Sequence, residues 1–147
     1  MYRRILVATD GAKLSNKAVM EAARLAAALG AELLVLHVRS PLDVPHHATG
    51  GALHRLGNEK FMDEIELEES QLLDAAVAIC AQYGVDGKTA FIIGHSPCQA
   101  IVQVAQDRRC DLIVMATRIQ QGIPGFLTKS ETQQVLRTST ISVLVVR

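Results

Sequence analysis

The sequence predicts an α/β fold: an open, twisted, parallel five-stranded sheet with helices on both faces. Three observations carry that expectation. Continuous runs rich in Val, Ile and Leu recur along the chain without the alternating polar residues of a strand that faces water on one side, so they suit parallel strands covered on both faces. Segments with apolar residues at helical spacing lie between them. The two kinds alternate as β-α-β-α-β-α-β-α-β, the order that right-handed crossovers wind into a single sheet.

The first run is 4-RILVAT-9. After it, 14-LSNKAVMEAARLAAALG-30 places Ala18, Ala22, Leu25, Ala26 and Leu29 at helical spacing, and Gly30 suits the left-handed residue that closes a helix. The second strand is 32-ELLVLHV-38. The stretch 39-RSPLDVPHHATGGALHRLG-57 has Pro, Gly and three histidines without periodicity, and is expected to hang over the sheet edge as an irregular lid. A helix over about 59–84 then sets Met62, Ile65, Leu72, Ala76 and Ile79 on one face. Its acidic run, Asp63, Glu64, Glu66, Glu68 and Glu69, falls near the expected start, where the helix dipole tolerates negative charge, and Gly84 closes it.

The third strand is 89-TAFIIG-94. Ser96 is a good N-cap for the next helix, with Pro97 in its first position and Gln99 at capping-box spacing. The fourth strand is 111-DLIVMAT-117. A helix over about 130–138 follows, in which Ser130 and Gln133 repeat the capping-box spacing, and 141-ISVLVV-146 ends the set. This is a Rossmann-like arrangement. In strand order 3-2-1-4-5 the last strand forms a bare apolar edge with no proline or inward charge to blunt it, which is a liability unless another strand pairs with it. A homodimer through residues 141–146 is the expected remedy.

A chain of 147 residues suits one domain over residues 1–147. Basic and acidic residues balance at 15 each, which gives no electrostatic basis for nucleic acid or an anionic membrane as the main partner. The opening MYRRILVATDG has too short an apolar stretch for a secretory signal, and no run approaches a membrane span. Cys80, Cys98 and Cys110 have no CxxC spacing and sit in apolar segments. They read as buried thiols of a reducing, cytoplasmic compartment. His46, His47 and His54 lack a Cys or carboxylate to complete a metal set, so no metal is expected.

Ligands of such sheets sit beyond the carboxyl ends of the strands. That edge carries Thr9-Asp10-Gly11, His37-Val38, Gly94-His95 and Ala116-Thr117-Arg118. Each candidate also has a plainer reading. Asp10 is either a ligand contact or an Asx-type cap for the first helix, Ser130 a phosphate contact or an N-cap, and Arg118 an anion contact or a solvated loop residue. His37 reads as a core or rim histidine, and His95 with Ser96 lacks the third group of a catalytic set. The stretch 122-GIPGFLTKSETQQVL-136 imitates a phosphate loop, but Thr128 stands where a Walker A loop needs glycine directly before Lys129-Ser130.

The element order, the opening 5-ILVATDGAKLSNKAV-19, the strand 112-LIVMAT-117 and the closing 130-SETQQVLRTSTISVLVV-146 together resemble the universal stress protein family over nearly the whole chain. The resemblance implies a cytoplasmic, usually homodimeric regulatory or protective module, not a metabolic enzyme, in a family where some members bind ATP and others do not. In the binders an Asp after the first strand and a Val ending the second contact the nucleoside. A G-x-x-G motif, followed by nine residues and G-[S/T], holds ribose and phosphates.

Carried onto this chain, these are Asp10, Val38 and the hydroxyl of Ser130, while the three glycine positions fall on Ala116, Ile119 and Lys129. Gly122 also sits where the family often has glycine. The spacing is intact and the glycines are replaced. A β-branched Ile119 resists positive φ, Lys129 offers an ammonium to phosphate while its stem crowds the N–H groups at the helix start, and Glu131 repels a triphosphate. The expectation is a degenerate site with weak or no ATP binding and no firm cofactor. The alternatives are an ATP or AMP sensor that uses Lys129 in place of glycine, with slow hydrolysis, and a purely structural interaction partner. A flavodoxin-like carrier shares the element order, but no flavin-phosphate loop stands out and aromatic residues are scarce.

Overall fold

The computed structural model describes residues 1–41, 51–117 and 129–147; of residues 51–61 and 129 it describes the main chain alone. Five parallel strands form one sheet in the order β3-β2-β1-β4-β5. Along the chain these are β1 (Arg4–Ala8), α1 (Lys13–Leu29), β2 (Glu32–Arg39), α2 (Gly51–Ala81), β3 (Gly87–Ile93), α3 (Pro97–Asp107), β4 (Leu112–Ala116), α4 (Lys129–Thr138) and β5 (Ser142–Val146). The central strand is β1, where Ile5 pairs with Leu33 of β2 on one side and Leu112 of β4 on the other.

Strand alternation divides the apolar residues between two layers. Ile5, Val7, Leu33, Val35 and Val114 pack with Ala18, Ala22 and Ala26 of α1 and Leu73, Ala76 and Cys80 of α2. Leu6, Ala8, Leu36, Val38, Ile113 and Met115 pack on the opposite face with Ile101, Val104 and Ala105 of α3 and Val135 of α4. Strands buried on both faces need no polar side, which is why their sequences read as continuous apolar runs. The alanines of α1 let that helix lie close to the sheet. Gly30 closes it at φ 64°, donating its N–H to the Ala26 carbonyl.

Five expectations are corrected. The 39–57 segment is not irregular throughout, because α2 begins at Gly51; residues 42–50, with His46 and His47, lie outside the described residues. The good helix formers Ala52, Leu53, Arg55 and Leu56 outweigh the roughly 1 kcal/mol cost of Gly57. The acidic run therefore lies mid-helix rather than at its start, and Met62, expected on the inner face, is 45% exposed. Ser96 holds the N-cap position of α3 but makes no capping bond, its hydroxyl lying 3.1 Å from Cys98 Sγ instead. Ser130 is the second residue of α4 and not its N-cap.

The three cysteines are buried and unpaired with one another. Burial pushes the Cys80 and Cys110 thiols up from their ordinary range. No helix among the described residues is long and apolar enough to cross a membrane.

Candidate functional site

The carboxyl edge is built first by the turn after β1. Thr9 is buried and continues the ladder, donating its N–H to the Leu36 carbonyl at 2.9 Å, while its hydroxyl accepts the Gly11 N–H at 3.1 Å. Gly11 adopts φ 76°, a left-handed conformation that L side chains rarely take. That turn aims Asp10 into α1. Its Oδ1 accepts the Ala12 N–H at 2.9 Å and the Ser15 hydroxyl at 2.5 Å. The Asx-type role of Asp10 is therefore real, and it holds the carboxylate at the carboxyl end of β1.

Val38 is the penultimate residue of β2, since the strand runs on to Arg39. Its side chain is sealed in the core at 1% exposure, so it offers the edge main chain only. The direction of that main chain follows from its neighbours. Leu36 C=O bonds β1 through Thr9, and Arg39 C=O bonds the β3 side through the Gly94 N–H at 3.0 Å. Alternation turns the N–H and C=O of Val38 toward the side on which β1 has already ended at Ala8.

The other half of the edge joins β4 to α4. Ala116 ends β4 paired with Val146, with no positive φ, so an alanine there carries no backbone strain. Thr117 donates its N–H to the Val146 carbonyl at 3.1 Å and accepts a 3.0 Å hydrogen bond from the buried Thr132 hydroxyl. This threonine pair ties the first turn of α4 to the end of β4. Ser130 is exposed in that turn and Glu131 stands beside it. Arg118, Ile119 and Gly122 lie outside the described residues, as does the Lys129 side chain.

Sequence reasoning missed the polar cluster beside Val38. His37 and Glu69 are both buried, with Nδ1 of the imidazole 2.5 Å from Glu69 Oε2. Arg39 donates to Glu69 Oε1 at 3.0 Å and to Glu68 Oε2 at 2.8 Å, and His37 stacks over Phe91 with centroids 6.2 Å apart. Burial alone would lower the Arg39 guanidinium, but Glu68 and Glu69 more than offset it and hold the group above its ordinary value. The rim-or-core reading of His37 holds. A signal for Glu69 was present: it falls four residues after Ile65 and seven before Ala76, on the same buried stripe of α2. His95 is exposed, and Ser96 is occupied with Cys98, which in turn donates to Gln134 at 2.8 Å.

A parallel sheet in this order, whose strand order switches direction between β1 and β4, defines an α/β protein of the Rossmann-like, nucleotide-binding fold. The universal stress protein family matches residues 1–147, and the chain belongs to it. Universal stress protein YxiE of Bacillus subtilis (strain 168) is 32% identical over all of both chains. A universal stress protein of Thermus aquaticus is 31% identical, again over the full length of each. A crystal structure of a universal stress protein in complex with cAMP matches with a TM-score of 0.72 at 26% identity, covering 99% of this chain and 97% of that one.

Proposed function

We propose that this chain is a regulatory or protective stress-response module, a single cytoplasmic domain over residues 1–147, whose nucleotide site holds ATP weakly or not at all. The reading rests on the substituted glycines. Ala116, Ile119 and Lys129 occupy the three positions where the family's binders cradle ribose and phosphates on bare main chain. Ala116 is harmless in an extended strand, so the loss falls on Ile119 and Lys129, with Glu131 adding negative charge in the first turn of α4. The nucleoside half keeps its residues: Asp10 at the carboxyl end of β1 and the main chain of Val38. Arg118, Gly122 and Ser130 complete the candidate set.

The cAMP complex of the relative at 26% identity favours a second reading, an adenine nucleotide sensor for ATP or AMP. In it the Lys129 ammonium pairs with phosphate in place of glycine-cradled N–H groups, and hydrolysis is slow. The two readings part in isothermal titration with ATP and AMP at millimolar nucleotide, beside Lys129→Gly. Weak or absent heat with the natural chain and a gain of binding in Lys129→Gly supports the degenerate site. Micromolar ATP binding by the natural chain establishes the sensor.

The same proposal includes a homodimer. The outer edge of β5 has no strand beside it among the described residues, and Leu144 of β5 is 40% exposed. Antiparallel pairing of two β5 strands would cover that edge.

A further inference from the structure

We infer that Glu69 is a positioning residue for the nucleoside half of the site: by holding both neighbours of Val38 at once, it fixes the main chain that a purine base would meet. The inference rests on the reading of Asp10 and Val38 as nucleoside contacts. His37 and Arg39 flank Val38 and, two residues apart on a strand, point to the same face of the sheet. One carboxylate receives both, Oε2 facing His37 Nδ1 at 2.5 Å and Oε1 accepting from Arg39 at 3.0 Å. The second arm of Arg39 reaches Glu68 at 2.8 Å. Val38 itself has no freedom from its side chain, which is locked in the opposite layer. Its N–H and C=O are thus the polar groups aimed past the end of β1, and their direction is set from the α2 side.

The composition of α2 supports a positional role. Among the described residues its buried stripe is otherwise Ile65, Leu73, Ala76 and Cys80. An apolar residue at 69, with partners to match, would fasten the helix to the sheet as well as a buried ion cluster does, because desolvation offsets most of the attraction between the charges. What the carboxylate adds is fixed geometry, a two-pronged grip in which each oxygen has one assigned donor. Phe91 stacks on the imidazole from β3 and limits its rotation.

The test uses adenosine, which lacks the phosphates that the substituted glycines disfavour. Titrations compare the natural chain with Glu69→Gln, Arg39→Lys and the control Ile65→Val, which trims a buried apolar residue of α2 and leaves the Glu69 carboxylate in place. In the absence of ligand, the Val38 amide is followed by 15N–1H NMR and hydrogen exchange. Glu69→Gln is expected to weaken adenosine about tenfold, the worth of one or two main-chain hydrogen bonds, and to shift the Val38 amide. Arg39→Lys keeps the charge but loses the fork, so it lies between, and it carries the test should Glu69→Gln not fold. Ile65→Val changes neither readout. Equal adenosine affinity and an unmoved Val38 amide in Glu69→Gln would reduce Glu69 to a helix fastener and overturn the inference. If the natural chain takes up no adenosine, the nucleoside reading falls, and the Val38 amide alone decides whether Glu69 sets that main chain.

Discussion

At the scale of single residues, Asp111 aligns the amino ends of two strands. Its carboxylate accepts the Arg3 N–H at 2.8 Å and the Arg4 N–H at 3.0 Å, and its own N–H returns to the Arg4 carbonyl at 2.9 Å. Burial pushes this carboxyl up, but the N–H groups of Arg3 and Arg4 outweigh burial and hold it below its ordinary 3.8. A carboxylate with a depressed folded-state value contributes stability above its unfolded value and loses it as pH falls through the folded one. Asp111→Asn should therefore lower stability by about 1 kcal/mol near neutral pH, screening included, with the gap closing below about pH 4. Thermal unfolding of both chains from neutral to acid pH measures this; a gap that persists in acid would refute it. Asp10 was legible as a dual-purpose residue because an Asx turn and an edge carboxylate have the same sequence signature. Glu69 carried only the positional signal of its spacing from Ile65 and Ala76, which its charge among other glutamates masked, and only His37 and Arg39, about thirty residues away, make its burial tolerable.

At the scale of elements, every strand and helix was legible and the boundaries were not. Apolar runs find β1, β2 and β4 because burial on both faces leaves a signal independent of register, and the half-exposed edge strands β3 and β5 keep enough apolar residues to read the same way. The start of α2 was hidden because Gly51, Gly57, Pro45 and the histidines look like punctuation, while the packing that carries a helix through a glycine is tertiary. The Ser96 cap misled because a hydroxyl near a helix start is claimed by whichever neighbour is closest, here Cys98 Sγ, and the Ser130 cap because α4 begins one residue earlier, at Lys129. The entry to α1 is more exacting. A Cβ on Gly11 would meet Leu72 Cγ at 3.2 Å while the backbone sits at φ 76°. Gly11→Ala should cost about 1–2 kcal/mol from strain alone, seen as a lower urea midpoint at unchanged slope. Leu72→Ala added to it relieves the contact but not the backbone, so the double variant does not recover the midpoint.

For the whole molecule, the sheet has two open sides among the described residues, and the proposed dimer uses the one at β5. Thr117 N–H bonds the Val146 carbonyl, so alternation directs the N–H of Val146 and Leu144 toward β4 and those of Val143 and Val145 outward. Val143→Pro removes an outward donor and leaves the β4 ladder intact, as edge strands allow. The natural chain should sediment as a dimer at tens of micromolar and Val143→Pro as a monomer; a monomeric natural chain would sink the pairing. The central place of β1 bears on the order in which the chain can acquire its structure. Ile5 meets Leu33 across a short stretch of sequence, but it meets Leu112 only after most of the chain has been made. Closing that longer loop costs more entropy and comes later. During synthesis the second flank of β1, with Ile5, Leu6 and Val7, stays open until β4 arrives, and a ribosome that stalls before residue 112 leaves a hydrophobic strand edge ready to pair with another nascent chain.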